Sequence, residues 1–419
     1  MALKRAAVSA LALVVAACAT STPPRKTRTP KPRPSRTYAA PLPTSPAPTG
    51  SPVRGAARHS DVNGDGRADL ALSFRDDQGT TWAIVVYGSR QGLDQATRTV
   101  VRATAGVVNP RPGDLADLDG DGYGDLVDGL SVMWGGPRGL DPKNGHTPLR
   151  RPPSDVRRMD LHSGDADGDG AADVIATGGR DGNPALYVLK GPFTRKGRPA
   201  RSEEVPAPIS PEYGWLVADR IGDRHPTSVI VYGDNDGEQA TGWLVPASRG
   251  GLAAKGRQLN TGSAAAFGDF DGDGRRDVVV GDNGSRNDEP GAETEAPGVD
   301  RTLTVHYGTG RQEALTGAWG ETVAGDFDGD GRDDLVVGTR IAGNNAMPPW
   351  LFTGTPDGLR NSGAFASMRR GTPLTAGDYD GDGDDEVVFY AGFASVDLWV
   401  ADRSKVLATF DTNRWIPGS

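Results

Sequence analysis

Six stretches of this sequence set acidic or amide side chains at the first, third, fifth and ninth positions of a nine-residue segment. They are DVNGDGRAD (61–69), DLDGDGYGD (117–125), DADGDGAAD (165–173), DFDGDGRRD (269–277), DFDGDGRDD (326–334) and DYDGDGDDE (378–386). The side chains concerned are Asp61, Asn63, Asp65 and Asp69; Asp117, Asp119, Asp121 and Asp125; Asp165, Asp167, Asp169 and Asp173. The later loops add Asp269, Asp271, Asp273 and Asp277; Asp326, Asp328, Asp330 and Asp334; Asp378, Asp380, Asp382 and Glu386. Left unpaired, carboxylates this close repel one another at neutral pH. With a backbone carbonyl at position seven (Arg67, Tyr123, Ala171, Arg275, Arg332 or Asp384) they supply hard oxygen ligands. Calcium takes six to eight such oxygens at about 2.3–2.6 Å, and magnesium, which prefers rigid octahedral sites with retained water, fits less well. Glycines at positions four and six allow the chain to curl around one ion.

A solvated Asp-Gly turn would explain one copy, but not six copies at one spacing. The EF-hand is excluded because its bidentate Glu at position twelve is missing. Leu72, Asp128, Ala176, Val280, Val337 and Phe389 stand there instead, and strand-like runs flank each loop. Six calcium ions would take the formal net charge from −9 to +3, so stability is expected to depend on the metal. Its role reads as structural. Glu386, longer by a methylene, is expected to weaken or reshape the last site.

The elements that carry these loops repeat with them. A decayed copy begins at Asp219, with Asp223 at position five but Ile221, His225 and Thr227 at positions three, seven and nine, and no ion is expected there. Counting it, seven copies lie 48 to 57 residues apart, a period that marks a repeat architecture. In each repeat a short strand enters the loop and an apolar run such as DVVVG or DLVVG leaves it. A third strand then ends in Gly, as in WAIVVYG (82–88) and LTVHYG (303–308). A turn often closing on Gly-Leu (Gly92-Leu93, Gly139-Leu140, Gly251-Leu252, Gly358-Leu359) leads to a less regular fourth strand. Four strands in each of seven repeats predict an all-β, seven-bladed β-propeller over residues 55–419. The segment before Asp61 is a poor first strand, and 406–415 is a candidate closing strand.

Acidic loop, apolar run and Tyr-Gly turn together resemble FG-GAP (VCBS-type) repeats, the units of the seven-bladed propeller of integrin α chains. The resemblance covers about residues 55–419. It implies calcium in the loops between strands one and two, and partners on the opposite face.

The rest of the chain sets the context. Lys4 and Arg5 precede an apolar stretch, Ala6 to Ala17, too short to span a bilayer comfortably. Val15-Ala16-Ala17-Cys18 resembles a bacterial lipobox, so residues 1–18 are expected to act as a signal peptide with Cys18 acylated. Ordinary secretion after an A-x-A site is the alternative. Both place the protein outside the cytoplasm, with membrane contact only through a lipid. Residues 19–54, rich in Pro, Ser, Thr and Arg, read as a basic disordered linker. With Cys18 as the single cysteine no intrachain disulfide forms. The net charge of −9 argues against nucleic acid.

No G-x-S-x-G or H-E-x-x-H motif is present, the five histidines are scattered, and no catalytic role is expected. Asp128, Asp181 and Glu321 lie outside the loops with no motif around them. The expected function is a monomeric binding or adhesion module for a protein or polysaccharide. A lectin-like carbohydrate binder and a polysaccharide lyase or hydrolase are the alternatives. Aromatics and polar groups converging at the channel mouth would favour the lectin, and paired carboxylates or a Lys/Arg–carboxylate cluster outside the loops the enzyme. Two insertions, 283–300 and 339–350, fall on the face opposite the loops. Trp82, Trp134, Trp243, Trp350 and Trp399 are read as packing residues.

Overall fold

The computed structural model describes residues 42–415, except 77, 105–110, 156–158, 211–213, 234–237, 287–294, 339–347, 367–368 and 391–396. Cys18, the signal segment and most of the linker lie outside the described residues, as do much of both insertions. Seven four-stranded antiparallel sheets follow one another along the chain. Blade five is representative, with strands Ala264–Gly268, Asp277–Gly281, Thr302–His306 and Gln312–Thr316 paired in sequence order. Its second strand is buried throughout, and its fourth is mostly exposed or half-buried. The same contrast holds for Asp334–Gly338 against Arg360–Ala364 in blade six. A blade packed between two neighbours covers both faces of its inner strands, which is why those runs are continuously apolar rather than alternating.

The first blade departs from the pattern. Ala56–His59 forms a 3-10 turn, and the strand beside Leu70–Arg75 is Arg111–Pro112. Those two residues directly precede Asp114–Ala116, the inner strand of blade two. One segment thus serves two blades, since AARH before the first loop lacks the alternating apolar residues a strand needs. Val406–Asp411 is the outer strand of blade seven, paired with Asp397–Ala401 of the same blade, so among the described residues no strand is exchanged across the closure. The ring closes by packing instead. Leu70, Leu72, Ile84 and Val86 of blade one share a core with Val388, Leu398, Phe410 and Trp415. Backbone bonds from Ala68 N–H to the Asp378 carbonyl (3.0 Å) and Ser89 N–H to the Tyr379 carbonyl (3.1 Å) cross the same seam.

The tail of the linker joins the ring as well. Leu42 N–H donates to the Arg414 carbonyl, Ser51 N–H to that of Gly64 and Val53 N–H to that of Gly122. Among the described residues, contacts with the ring therefore include residues from Leu42 on, before the boundary at residue 54 that composition marks.

The Tyr-Gly and Gly-Leu signatures meet between blades. The buried Tyr87 hydroxyl accepts the Leu140 N–H of the next blade at 2.9 Å, and Tyr307 accepts that of Leu359 at 3.1 Å. A Cβ on Gly139 or Gly358 would lie 2.1 Å from that hydroxyl, so glycine is required there.

Candidate metal centres

In an antiparallel blade the 1–2 and 3–4 turns share one face, which gathers the acidic loops on one side of the ring. Within each loop the backbone wraps around the first carboxylate. Asp117 Oδ1 accepts N–H bonds from Gly120 (2.8 Å) and Asp121 (3.0 Å), and its Oδ2 accepts from Gly122 (3.0 Å). Asp61 is bound the same way by Gly64, Asp65 and Gly66. Position-five carboxylates accept the amide of position seven, as from Arg67 (3.1 Å), Tyr123 (3.2 Å), Ala171 (2.8 Å), Arg275 (2.8 Å), Arg332 (3.0 Å) and Asp384 (3.0 Å). Such closeness needs the left-handed region at positions four and six, where Gly272 and Gly274 have φ of 70° and 82°.

The ninth position ties the loop to its blade. It opens the second strand in blades two, three, five, six and seven, and it is buried in all six intact loops. Asp277 Oδ2 accepts Phe270 N–H (2.9 Å), and its Oδ1 accepts N–H of Gly308, the glycine after the third strand (2.8 Å). Asp69, Asp125 and Asp173 repeat this pair of bonds with Gly88, Gly135 and Gly191. Glu386 keeps the first of them, accepting Tyr379 N–H at 2.9 Å despite its extra methylene. Burial, reinforced by the neighbouring loop acids, raises Asp173, Asp277 and Asp334 to about 7 and Glu386 to about 8, and it pushes Asp69 and Asp125 well up. A bound cation would oppose that shift directly.

Five loops gather three carboxylates whose ligand atoms lie within 4.8 Å of one another. These are Asp117, Asp119 and Asp125; Asp165, Asp167 and Asp173; Asp269, Asp271 and Asp273; Asp326, Asp328 and Asp330; and Asp378, Asp380 and Glu386. In the first loop Asn63 replaces the third-position acid and donates to Asp65 at 3.4 Å.

Basic side chains reach the same carboxylates, a feature composition does not reveal. Lys190 binds Asp167 Oδ2 at 2.8 Å, and Arg403 binds Asp328 Oδ2 at 2.7 Å from the turn of the next blade. Arg195 holds both Asp119 (2.6 Å) and Asp121 (2.5 Å), while Arg311 stands 3.9 Å from Asp271 Oδ2. The other oxygens, Asp167 Oδ1, Asp271 Oδ1 and Asp328 Oδ1, are buried with no hydrogen-bond donor among the described residues, as are Asp269 Oδ1 and Asp334 Oδ2. A buried carboxylate oxygen without a donor is costly. Bare oxygens in loops that also gather three carboxylates are the ligands a cation needs, and these residues fit a hard metal ion.

The decayed fourth copy is built differently. Arg276, at position eight of the next loop, binds Asp219 through both oxygens (2.8–3.2 Å) and Asp333 Oδ2 at 2.7 Å, and Arg220 adds Asp333 Oδ1 at 2.7 Å. A guanidinium thus supplies the positive charge facing Asp219. Asp333 and Asp385, also at position eight, accept the Asp269 and Asp326 amides of the preceding loops at 2.7 and 3.1 Å. The signal for this role was acid at position eight, where the first three loops carry Ala or Gly. With Tyr379 and Arg67 these residues border a central cavity of about 800 Å³.

Outside the loops the folding brings Asp128, Ser131 and His146 together, which sequence separation had hidden. Ser131 Oγ and Asp128 Oδ2 both approach His146 Nδ1, at 3.3 and 3.7 Å, and Nε2 faces the Arg102 carbonyl at 3.0 Å. A nucleophile–base–acid relay needs serine and acid on opposite ring nitrogens, so this cluster does not form one. Asp181 is exposed, and Glu321 accepts from Asn283 at 3.4 Å. Of the five histidines, His59 and His306 are buried, which lowers both to about 4. Trp399 stacks on Phe389 with centroids 3.9 Å apart, as a packing residue should.

A family model described as FG-GAP-like repeat matches residues 313–389, across blades five to seven. The same loop and blade geometry recurs around the ring. Residues 313–389 therefore carry FG-GAP-like repeat sequence within a seven-bladed propeller. Among solved structures it is similar to rhamnogalacturonan lyase YesW at 12% identity, over 88% of this chain and 70% of that one, with a TM-score of 0.35. No curated protein matches its sequence.

Proposed function

We propose that this FG-GAP-like propeller is an extracytoplasmic, calcium-stabilised binding or adhesion module, tethered through acylated Cys18 or secreted. Its partner is a protein or a polysaccharide, engaged on the face opposite the acidic loops, and it works as a monomer without catalysis. The donorless carboxylate oxygens carry this reading. Lying in the loops of blades three, five and six, they support calcium ions pinning one face of the ring, which leaves the irregular opposite face for recognition.

A lectin-like reading is favoured by one feature of that face. Trp319, Trp350, Pro348 and Arg301 line a pocket of about 240 Å³ between blades five and six, with the Arg301 guanidinium 5.8 Å from the Trp319 ring. Aromatic faces beside a hydrogen-bond donor suit a sugar ring. The test is retention of the full chain on polysaccharides and cell-wall fractions, in calcium and then in EDTA. Saturable, calcium-dependent retention supports recognition of a glycan. No retention, from a protein whose melting temperature still rises with calcium, leaves a protein partner.

A further inference from the structure

A second concavity lies elsewhere on the ring, at the outer junction of blades two and three. Arg150, Arg151, Arg198 and Arg201 line it, with Pro152, Pro153 and Pro199, around a volume of about 490 Å³. Four guanidinium groups at one depression are unusual on a chain with net charge −9. All four arginines are exposed, and Arg150, Arg198 and Arg201 make no ion pair with a described residue. Nearby basic groups are already committed, Lys190 to Asp167 and Glu203 and Arg195 to Asp119 and Asp121.

The walls are pre-set. Arg150 N–H donates to the Gly197 carbonyl at 3.1 Å, clamping the two segments together. Gly197 has φ of 70°, and a Cβ there would fall 2.0 Å from the Pro148 carbonyl oxygen, so the approach depends on glycine. Three prolines fix φ along both walls. Ordering this site on binding therefore costs little backbone entropy.

We propose that this pocket binds an acidic polysaccharide, through the carboxylate or phosphodiester oxygens it carries at intervals. The planar fork of arginine matches such oxygens two at a time, which lysine does not. Three such forks, those of Arg150, Arg198 and Arg201, exceed the needs of one carboxylate and suit successive anions along a chain. The proline rings offer apolar surface to the sugar between them. This inference does not depend on the face assigned to the partner above.

The experiment measures affinity of the full chain, in calcium, for polygalacturonate, poly(glycerol phosphate), inorganic phosphate and duplex DNA. Saturable binding to one or both acidic polymers is expected, weakening as salt approaches about 1 M, where the screening length falls to about 3 Å. The two polymers distinguish carboxylate from phosphodiester. Paired Arg198→Glu and Arg201→Glu substitutions should lower affinity at least about tenfold with unchanged melting temperature, because these side chains are exposed. Paired Arg198→Lys and Arg201→Lys substitutions, which keep the charge and lose the fork, should show part of that loss and decide the matter if the first variant misfolds. Undiminished polymer binding in the variants, binding of inorganic phosphate alone, or equal binding of DNA would overturn the assignment. A Trp319→Ala variant separates the two sites: it should leave this binding intact even where it abolishes retention through the opposite face.

Discussion

Arg276 offers the sharpest test of how the ring is held. Its side chain is 11% exposed, and it faces Asp219 and Asp333, whose side chains are 0% and 2% exposed. Burial works against its charge, but the two carboxylates more than offset that and hold the guanidinium above its ordinary value. Replacement by Met keeps the length and removes the charge, which leaves two buried carboxylates under-compensated. Breaking a buried pair in this way costs about 3–5 kcal/mol. Arg220 still pairs with Asp333, so the lower end of that range is expected. With an unfolding entropy of about 2.1 cal/mol/K per residue over a ring of this size, the melting temperature should fall by roughly 4–6 °C. Scanning calorimetry in excess calcium at neutral pH measures it. Adding Asp219→Asn to Arg276→Met removes one stranded charge, so the double variant should be more stable than the single one. A single variant that loses less than about 1 °C, or a double variant less stable than it, would refute the reasoning.

Two further outcomes follow from the loops and the blade contacts. Because burial raises Asp173, Asp277 and Asp334 to about 7 and Glu386 to about 8, the ion-free fold is favoured while these acids are protonated. It should lose stability as pH climbs from the ordinary carboxylate value of 3.8 toward 8, and calcium should add more stability at the upper end. Thermal scans with EDTA and with calcium check this, and an ion-free melting temperature that rises over that range contradicts it. Tyr87→Phe leaves the buried Leu140 N–H without its acceptor, at a cost of about 1–3 kcal/mol and a loss of roughly 1–4 °C. No measurable change would mean that the contact between the Tyr-Gly and Gly-Leu signatures does not hold adjacent blades.

Much of this architecture was legible because its determinants are local. The spacing of Asp269, Asp271, Asp273 and Asp277 and the two glycines between them specify one turn, whichever blade contains it. The run Val278–Val280 reads as a strand covered on both faces, and it is one. Other features were hidden because they join distant residues. Blade one takes its inner strand from Arg111–Pro112, and no pattern near Asp61 announces that. Arg195 and Arg403 reach acids more than seventy residues away, and they look like ordinary turn arginines in the chain.

The sequence by itself therefore determined the period, the loop chemistry and the apolar strand of each blade, since hydrogen bonds within nine residues and burial of a continuous apolar run depend on near neighbours. Only the tertiary structure decided how each charge is balanced. Asp219 meets Arg276, and Asp167 and Asp328 give one oxygen to a basic side chain and keep the other bare. Electrostatic balance inside a protein depends on which groups share a low-dielectric space, and closure of the ring brings those groups together.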